Sequence, residues 1–146
     1  MTTAYDPFAG LTIADAYLEA VLRGEEFLIF DGAMGTMMQA AGLAKPGVVP
    51  DLLNITHPDD ITAIHRQYVE AGAQVITANT FGANSRKLEG RATVAEVFAA
   101  ATACARAAGA RYVAGDIGPT GALLQPMGEL SFEEAYEPFA EQALAA

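Results

Sequence analysis

Successive strand-then-helix units predict an α/β fold built on a parallel sheet. Three observations carry this. Short apolar runs at 27–30, 74–78 and 111–115 alternate with stretches whose apolar residues recur at helical spacing. Four consecutive bulky apolar residues in the first run suit a parallel strand covered on both faces. Each run exits into polar residues and glycine. Such exits mark the carboxyl edge of a parallel sheet, where α/β sites sit.

Residues 1–26 read as an N-terminal extension and helix, and 27–146 as one βα domain. Residues 1–11 are expected to fray. Thr12 opens the first helix with Asp15 in a capping-box-like position, an apolar stripe from Ile13 through Leu22 follows, and Gly24 stops it. The first strand, 27–30, ends on Asp31. A tight turn, 32–35, leads to a short helix over 36–41. Residues 43–57, punctuated by Pro46, Gly47 and Pro50, read as a long irregular connection of the kind that is usually functional or a lid. Pro58 begins a helix in which Ile61, Ile64, His65, Tyr68 and Val69 share one face, and Gly72 ends it. The second strand, 74–78, exits through 79–84, and Asn84 caps a short helical piece broken at Gly90. Thr93 and Glu96 form a capping box for a helix to Ala108. The third strand, 111–115, exits through 116–121. Ser131 and Glu134 form another box for the last helix, in which Pro138 is expected to kink or end the helix.

Composition narrows the function classes. At 146 residues the chain forms one domain with a real core. An apolar content of 52% and a mean hydropathy of +0.23 point to an unusually buried interior or to a surface meant for a partner. A net charge of −10 argues against nucleic acid and anionic membranes. A single cysteine excludes an internal disulfide and a multi-cysteine metal cluster, and fits a reducing, cytoplasmic setting. No signal peptide and no membrane-length apolar run are visible.

The first strand exit carries the sharpest chemistry. Glycine at two turn positions lets backbone N–H groups approach a ligand, and a helix start beyond it offers a seat for an anion. Asp31 beside that seat would hold an ammonium group. Both signs within a few residues suit an amino acid, although an ordinary βα turn has the same glycines.

Three separated segments then point one way. DGAMGTMMQ at 31–39, ANTFGAN at 78–84 and GDIGPTG at 115–121 resemble the first three strand exits of the homocysteine S-methyltransferase family, its cobalamin-dependent branch in particular. The stretches DLLNIT (51–56), IHRQYVEAGA (64–73) and MGELSFEE (127–134) resemble it as well. The family's fold is a (β/α)8 TIM barrel of about 250 residues or more. The resemblance therefore implies the N-terminal part of such a barrel, about three βα units preceded by a helix. It also implies a homocysteine site: Asp31 and Gly32 at the amino-acid end, Gly35 and Thr36 shaping the anion seat, Asn79 and Thr80 lining the pocket, and Asp116 beside them. Thr77 departs from the pattern, since many relatives carry glutamate there.

The resemblance implies, for the complete enzyme, a zinc ion held by three cysteine thiolates, with cobalamin as a candidate methyl carrier. Such a zinc site activates the substrate thiol. The sequence gives this chain no bound cofactor, no metal site and no catalytic residue of its own. Cys104 lies seven residues after Val97 on an apolar stripe and reads as core. His65 falls on the apolar face of its helix and reads as packed, and His57 before Pro58 reads as a cap. The expected partners are homocysteine and either a second copy or a complementary C-terminal half carrying the zinc cysteines, because an open three-stranded sheet leaves edges that need cover. Two other functions stay open: a non-catalytic self-associating half-barrel or scaffold, and a phosphate-binding α/β domain. Neither a Walker pattern nor a G-x-G-x-x-G run supports the latter.

Overall fold

The computed structural model describes residues 8–146. The expectation for residues 1–7 lies outside that range. The sheet is parallel, and its strands lie side by side in chain order. Strand β1 (Val75–Thr77) is central and pairs with β2 (Tyr112–Ala114) in the register Val75↔Tyr112, Ile76↔Val113, Thr77↔Ala114. On the other side of β1, Phe30 forms a parallel bridge to Val75, flanked by Gln74 N–H to Ile29 O at 2.8 Å and Asp31 N–H to Val75 O at 3.0 Å.

The first strand is therefore shorter and less covered than its composition suggests. Phe27, Ile29 and Phe30 are 69%, 50% and 55% exposed. Among the described residues the segment pairs with a strand along one edge only, and four apolar residues in a row do not by themselves bring a second neighbour. The central strand behaves as expected, with Val75 and Ile76 buried.

The helices differ from expectation mainly at their starts. Helix α1 (Ala16–Leu22) begins three residues beyond the expected cap, because Asp15 itself is the N-cap and accepts from Leu18 N at 2.8 Å. Helix α2 (Met34–Ala40) begins inside the expected turn, with Ala33 as a cap that offers no side-chain bond. The connection 43–57 is not irregular throughout: a 3₁₀ turn (Pro50–Leu52) runs into α3 (Leu53–Thr56), which buries Leu53 and Asn54. Helix α4 (Pro58–Glu70) starts on its proline, and His57 precedes it without a side-chain cap, sharing its Nδ1 with Thr56 Oγ1 at 2.8 Å. Helix α5 (Ser85–Leu88) is capped by Asn84, which accepts from Lys87 N. Helices α6 (Val94–Ala107) and α7 (Phe132–Ala145) open on the two expected capping boxes.

Pro138 neither ends α7 nor interrupts its assignment. The proline removes one backbone donor, but it is buried with Ala135 and Gln142, and α7 packs on α6. Burial of this face outweighs one missing hydrogen bond. Gln142 Nε2 then donates to Pro138 O at 2.9 Å.

Helix α6 organises the core. Its buried residues Val94, Val97, Phe98, Ala101, Cys104 and Ala105 follow helical spacing, and their small members admit α4 closely. One apolar cluster joins Met38, Leu53, Ile61, Ile64 and Cys104; another joins Ala83, Leu88, Val94, Val97 and Phe98. Cys104 and His65 are core residues, as expected.

Helix α1 is tied to the amino edge of the sheet by groups that carried no signal in sequence. The Tyr112 hydroxyl lies 2.8 and 2.7 Å from the two Asp15 carboxylate oxygens, and Arg111 lies 3.6 Å from the same group. The Leu18 N–H, then the Tyr112 hydroxyl and Arg111, hold the Asp15 carboxyl below its usual range. The Arg111 guanidinium sits 4.4 Å over the Tyr17 ring, and Tyr17 donates to Phe27 O at 2.8 Å. No helix among the described residues is long and apolar enough to cross a membrane.

At the opposite edge, the exits of β1 and β2 cross without room for a side chain. A Cβ on Gly118 would overlap the Phe81 carbonyl, which is backbone and cannot swing aside. Gly118→Ala should destabilise the chain by about 1–3 kcal/mol or more. Urea unfolding checks this, and an unchanged midpoint would refute the crossing.

Candidate functional site

The carboxyl edge holds two adjoining cavities. The smaller, of about 220 Å³, is lined by residues that include Asp31, Gly32, Thr77, Asn79 and Asp116. The larger is an open cleft of about 1080 Å³ that shares Met34, Asn79, Phe81 and Asp116 with it. Cavities form here because parallel strands end together and their loops diverge.

Asp31 is held on both oxygens by one residue. Thr77 N donates to Oδ2 at 3.0 Å and Thr77 Oγ1 to Oδ1 at 2.8 Å. These bonds fix the carboxylate plane and leave further lone pairs for a ligand. Thr77, where the resemblance leads to an expected glutamate, thus supplies donors to Asp31 instead of a second negative charge.

The loops behind the cavities are joined by buried polar side chains. Asn54 Nδ2 donates to Asp51 O and Asn79 O, both at 2.7 Å. Asn79 Nδ2 donates to Pro50 O at 2.9 Å and to Asn54 Oδ1 at 3.3 Å. Thr80 is fully buried; its hydroxyl donates to Asp116 O at 2.8 Å and lies 3.0 Å from Asp116 N. Asp51 is 4% exposed and accepts from Gly82 N at 2.8 Å. Burial pushes its carboxyl above the usual range, against the Gly82 hydrogen bond and the Lys87 charge. A Cβ at position 82 would stand 2.5 Å from Asp51 Oδ2, so a side chain there would require that carboxylate to shift.

The expected site residues therefore divide. Asp31, Gly32, Asn79 and Asp116 line the smaller cavity, and Gly35 lines the larger. Gly32 also has a packing role, since a Cβ there would stand 3.0 Å from the Tyr68 ring. The Asn79 side-chain amide faces Pro50 and Asn54. Thr36 is exposed, donates to Ala33 O at 3.1 Å and lines neither cavity; Thr80 joins loops and lines neither. Asp51, Asn54, Arg86 and Lys87 carried no site assignment in sequence. The DLLNIT stretch held the signal for the first two, as an acid and an amide one helical turn apart.

The side chains present do not fit a thiolate zinc site. Cys104 is buried on α6, its Sγ 3.8 Å from Asn54 O and 3.7 Å from Pro58 O, and burial pushes its thiol up. It lines neither cavity. Among the described residues, no three His, Cys, Asp or Glu side chains converge to hold a metal ion.

Comparison with known proteins finds likeness along most of the chain. The family described as homocysteine S-methyltransferase matches residues 28–146. A methionine synthase of Mycobacterium tuberculosis (strain H37Rv) is 32% identical over 92% of this chain and 13% of its own length. One from Mycobacterium leprae is 32% identical over 82% of this chain and 11% of its own. Among solved structures, the metallated form of the homocysteine methyltransferase MmuM from Escherichia coli matches 88% of this chain and 52% of its own, with a TM-score of 0.69 and 25% identity. The chain thus spans a small part of the two methionine synthases and about half of the solved enzyme.

His65 gives the site region a titration of its own. It is 0% exposed, and neither ring nitrogen has a hydrogen-bond partner among the described residues. Burial pushes its pKa below 6.5, and the charge of Asp31 opposes this in part. The native state then binds fewer protons than the unfolded chain below that pH. The associated stability is complete above pH 6.5 and falls as pH drops through the depressed native value. His65→Leu should flatten this limb of a stability-against-pH curve measured by urea unfolding. An unchanged limb would assign it to other groups.

Proposed function

The chain belongs to the homocysteine S-methyltransferase family, and on that premise we propose that it supplies the homocysteine-binding strand ends of a methyltransferase of the methionine synthase type. The observation that carries the reading is the Asp31 carboxylate, held by Thr77 through two hydrogen bonds at the wall of an amino-acid-sized cavity. Asp31 receives the substrate ammonium group, and Asp116 adds a second negative charge at the same cavity. Gly32 keeps the approach open beside Tyr68. Preorganised acceptors of this kind bind a cation without reorganising as it arrives.

Methyl transfer needs the homocysteine thiol as a thiolate. The lining of the smaller cavity includes no thiolate and no imidazole for that step: Cys104 and His65 are buried away from it, and His57 shares a hydrogen bond with Thr56. We therefore assign thiol activation, with the zinc and methyl carrier of the complete enzyme, to a complementary segment. The same segment, or a second copy, would cover the edge at Phe27, Ile29 and Phe30, whose exposure supports a partner there.

Calorimetric titration of L-homocysteine tests the reading directly. Binding should weaken about ten- to a hundredfold in Asp31→Ala, the scale of a lost charge-assisted contact. Thr77→Val, which keeps the backbone donor and removes the hydroxyl, should weaken it by about tenfold or less. A folded wild-type chain that gives no heat, or an Asp31→Ala chain that binds unchanged, would refute the assignment. Light scattering checks the exposed edge separately: the isolated chain should self-associate, and a monodisperse, cooperatively folding monomer would show that the edge needs no cover.

A further inference from the structure

The larger cleft differs in chemistry from the amino-acid cavity beside it. The chain has eight Lys and Arg residues against a net charge of −10. Three of those cations, Arg86, Lys87 and Arg91, lie within six positions and line this one cleft. They are held in place by a short, well-anchored helix. Asn84 caps α5, Leu88 is fully buried, and left-handed Glu89 (φ 52°) and Gly90 (φ 74°) turn the chain away.

The acids nearby leave part of this charge available. Glu89 pairs with Arg91 at 3.0 Å. Asp51 lines the cleft and interacts electrostatically with Lys87, but it is nearly inaccessible and its carboxylate accepts from Gly82 N. Arg86 has no hydrogen bond or ion pair among the described residues; Glu134 lies within electrostatic range of it, but that carboxylate accepts from Ser131 N at 2.9 Å. The Lys87 ammonium sits 5.5 Å over the Phe81 ring. Asp116 lines the cleft where it meets the smaller cavity. An anionic group is therefore drawn towards Arg86 and Lys87 and repelled from the amino-acid end. The lining also includes the apolar side chains of Met34, Val48 and Val49. A volume of about 1080 Å³ exceeds what an amino acid fills and is typical of a site for a larger small molecule.

We infer that this cleft binds a second small molecule through a carboxylate or phosphate group held by Arg86 and Lys87, with its apolar body lying towards the amino-acid cavity. Its assignment as a co-substrate of methyl transfer rests on the proposed function above; anion binding itself does not.

The test is a titration of the full chain followed by amide chemical shifts in two-dimensional NMR, without homocysteine, using inorganic phosphate and glutarate as separate probes. The amides of Arg86, Lys87 and Gly121, which packs against the Lys87 side chain, should shift and saturate. The double variant Arg86→Gln, Lys87→Gln should weaken binding about tenfold or more, as expected for two lost charge-assisted contacts. Arg106→Gln, on α6, should leave it unchanged. Response to phosphate alone identifies a phosphate-bearing ligand, and response to glutarate alone a carboxylate-bearing one. Absence of saturable shifts with both probes, or shifts that persist in the double variant, would overturn the inference. Homocysteine added separately reports through the amides of Asp31 and Thr77. Failure there with anion binding intact would remove the proposed function and leave the anion site standing.

Discussion

The carboxyl edge depends on buried polar side chains that satisfy the backbone of loops far away in sequence. Asn54 and Asn79 bond each other and the carbonyls of Pro50, Asp51 and Asn79, and Thr80 serves both the N–H and the C=O of Asp116. Loops that diverge from a parallel sheet leave backbone groups with no ladder partner, and burying those groups unpaired costs about 1–3 kcal/mol each. By answering them with side chains, the chain can keep the exits of β1 and β2 close to the 50–54 connection. The cavities are the space left between exits fixed in this way.

This constraint changes the meaning of several site residues. Asn79 and Thr80 read as ligand contacts when only their position at a strand exit is considered. In the fold, their polar atoms hold the loops, and the free chemistry is concentrated on Asp31 and Asp116. Thr77 shows the reverse. The hydroxyl that stands in place of an acid becomes the donor that orients Asp31. A glutamate there would place a further acid directly against Asp31, and adjacent acids repel each other and raise each other's pKa.

The two ends of the sheet serve different purposes. At the amino edge, Asp15, Arg111, Tyr17 and Tyr112 hold α1 against the strand starts through cation–π contacts, an ion pair and hydrogen bonds. At the carboxyl edge, glycines at 82 and 118 allow backbone and carboxylate to approach more closely than any side chain would permit. Stability is anchored at one end and access is kept at the other. The outer edge at Phe27, Ile29 and Phe30 is finished by neither device, which is why the proposed function includes a partner.

The parallel βα alternation, the capping boxes at Thr93 and Ser131, the Asn84 cap, the core placement of Cys104 and His65, and the three strand exits that carry the family likeness are all legible in the chain. These are local matters: periodicity, cap chemistry and glycine positions act over a few residues, and a sequence displays them directly. Folding adds that Asp15 caps α1 and bonds Tyr112, that Pro138 continues a helix, that 27–30 lies open, that Thr77 holds Asp31, and that Arg86 and Lys87 share a cleft with Asp116. Each of these depends on which distant group arrives beside the residue. Packing of α7 on α6 can override the preference of a proline, and a hydrogen bond across 46 positions, as between Asp31 and Thr77, leaves no periodic trace in the chain that forms it.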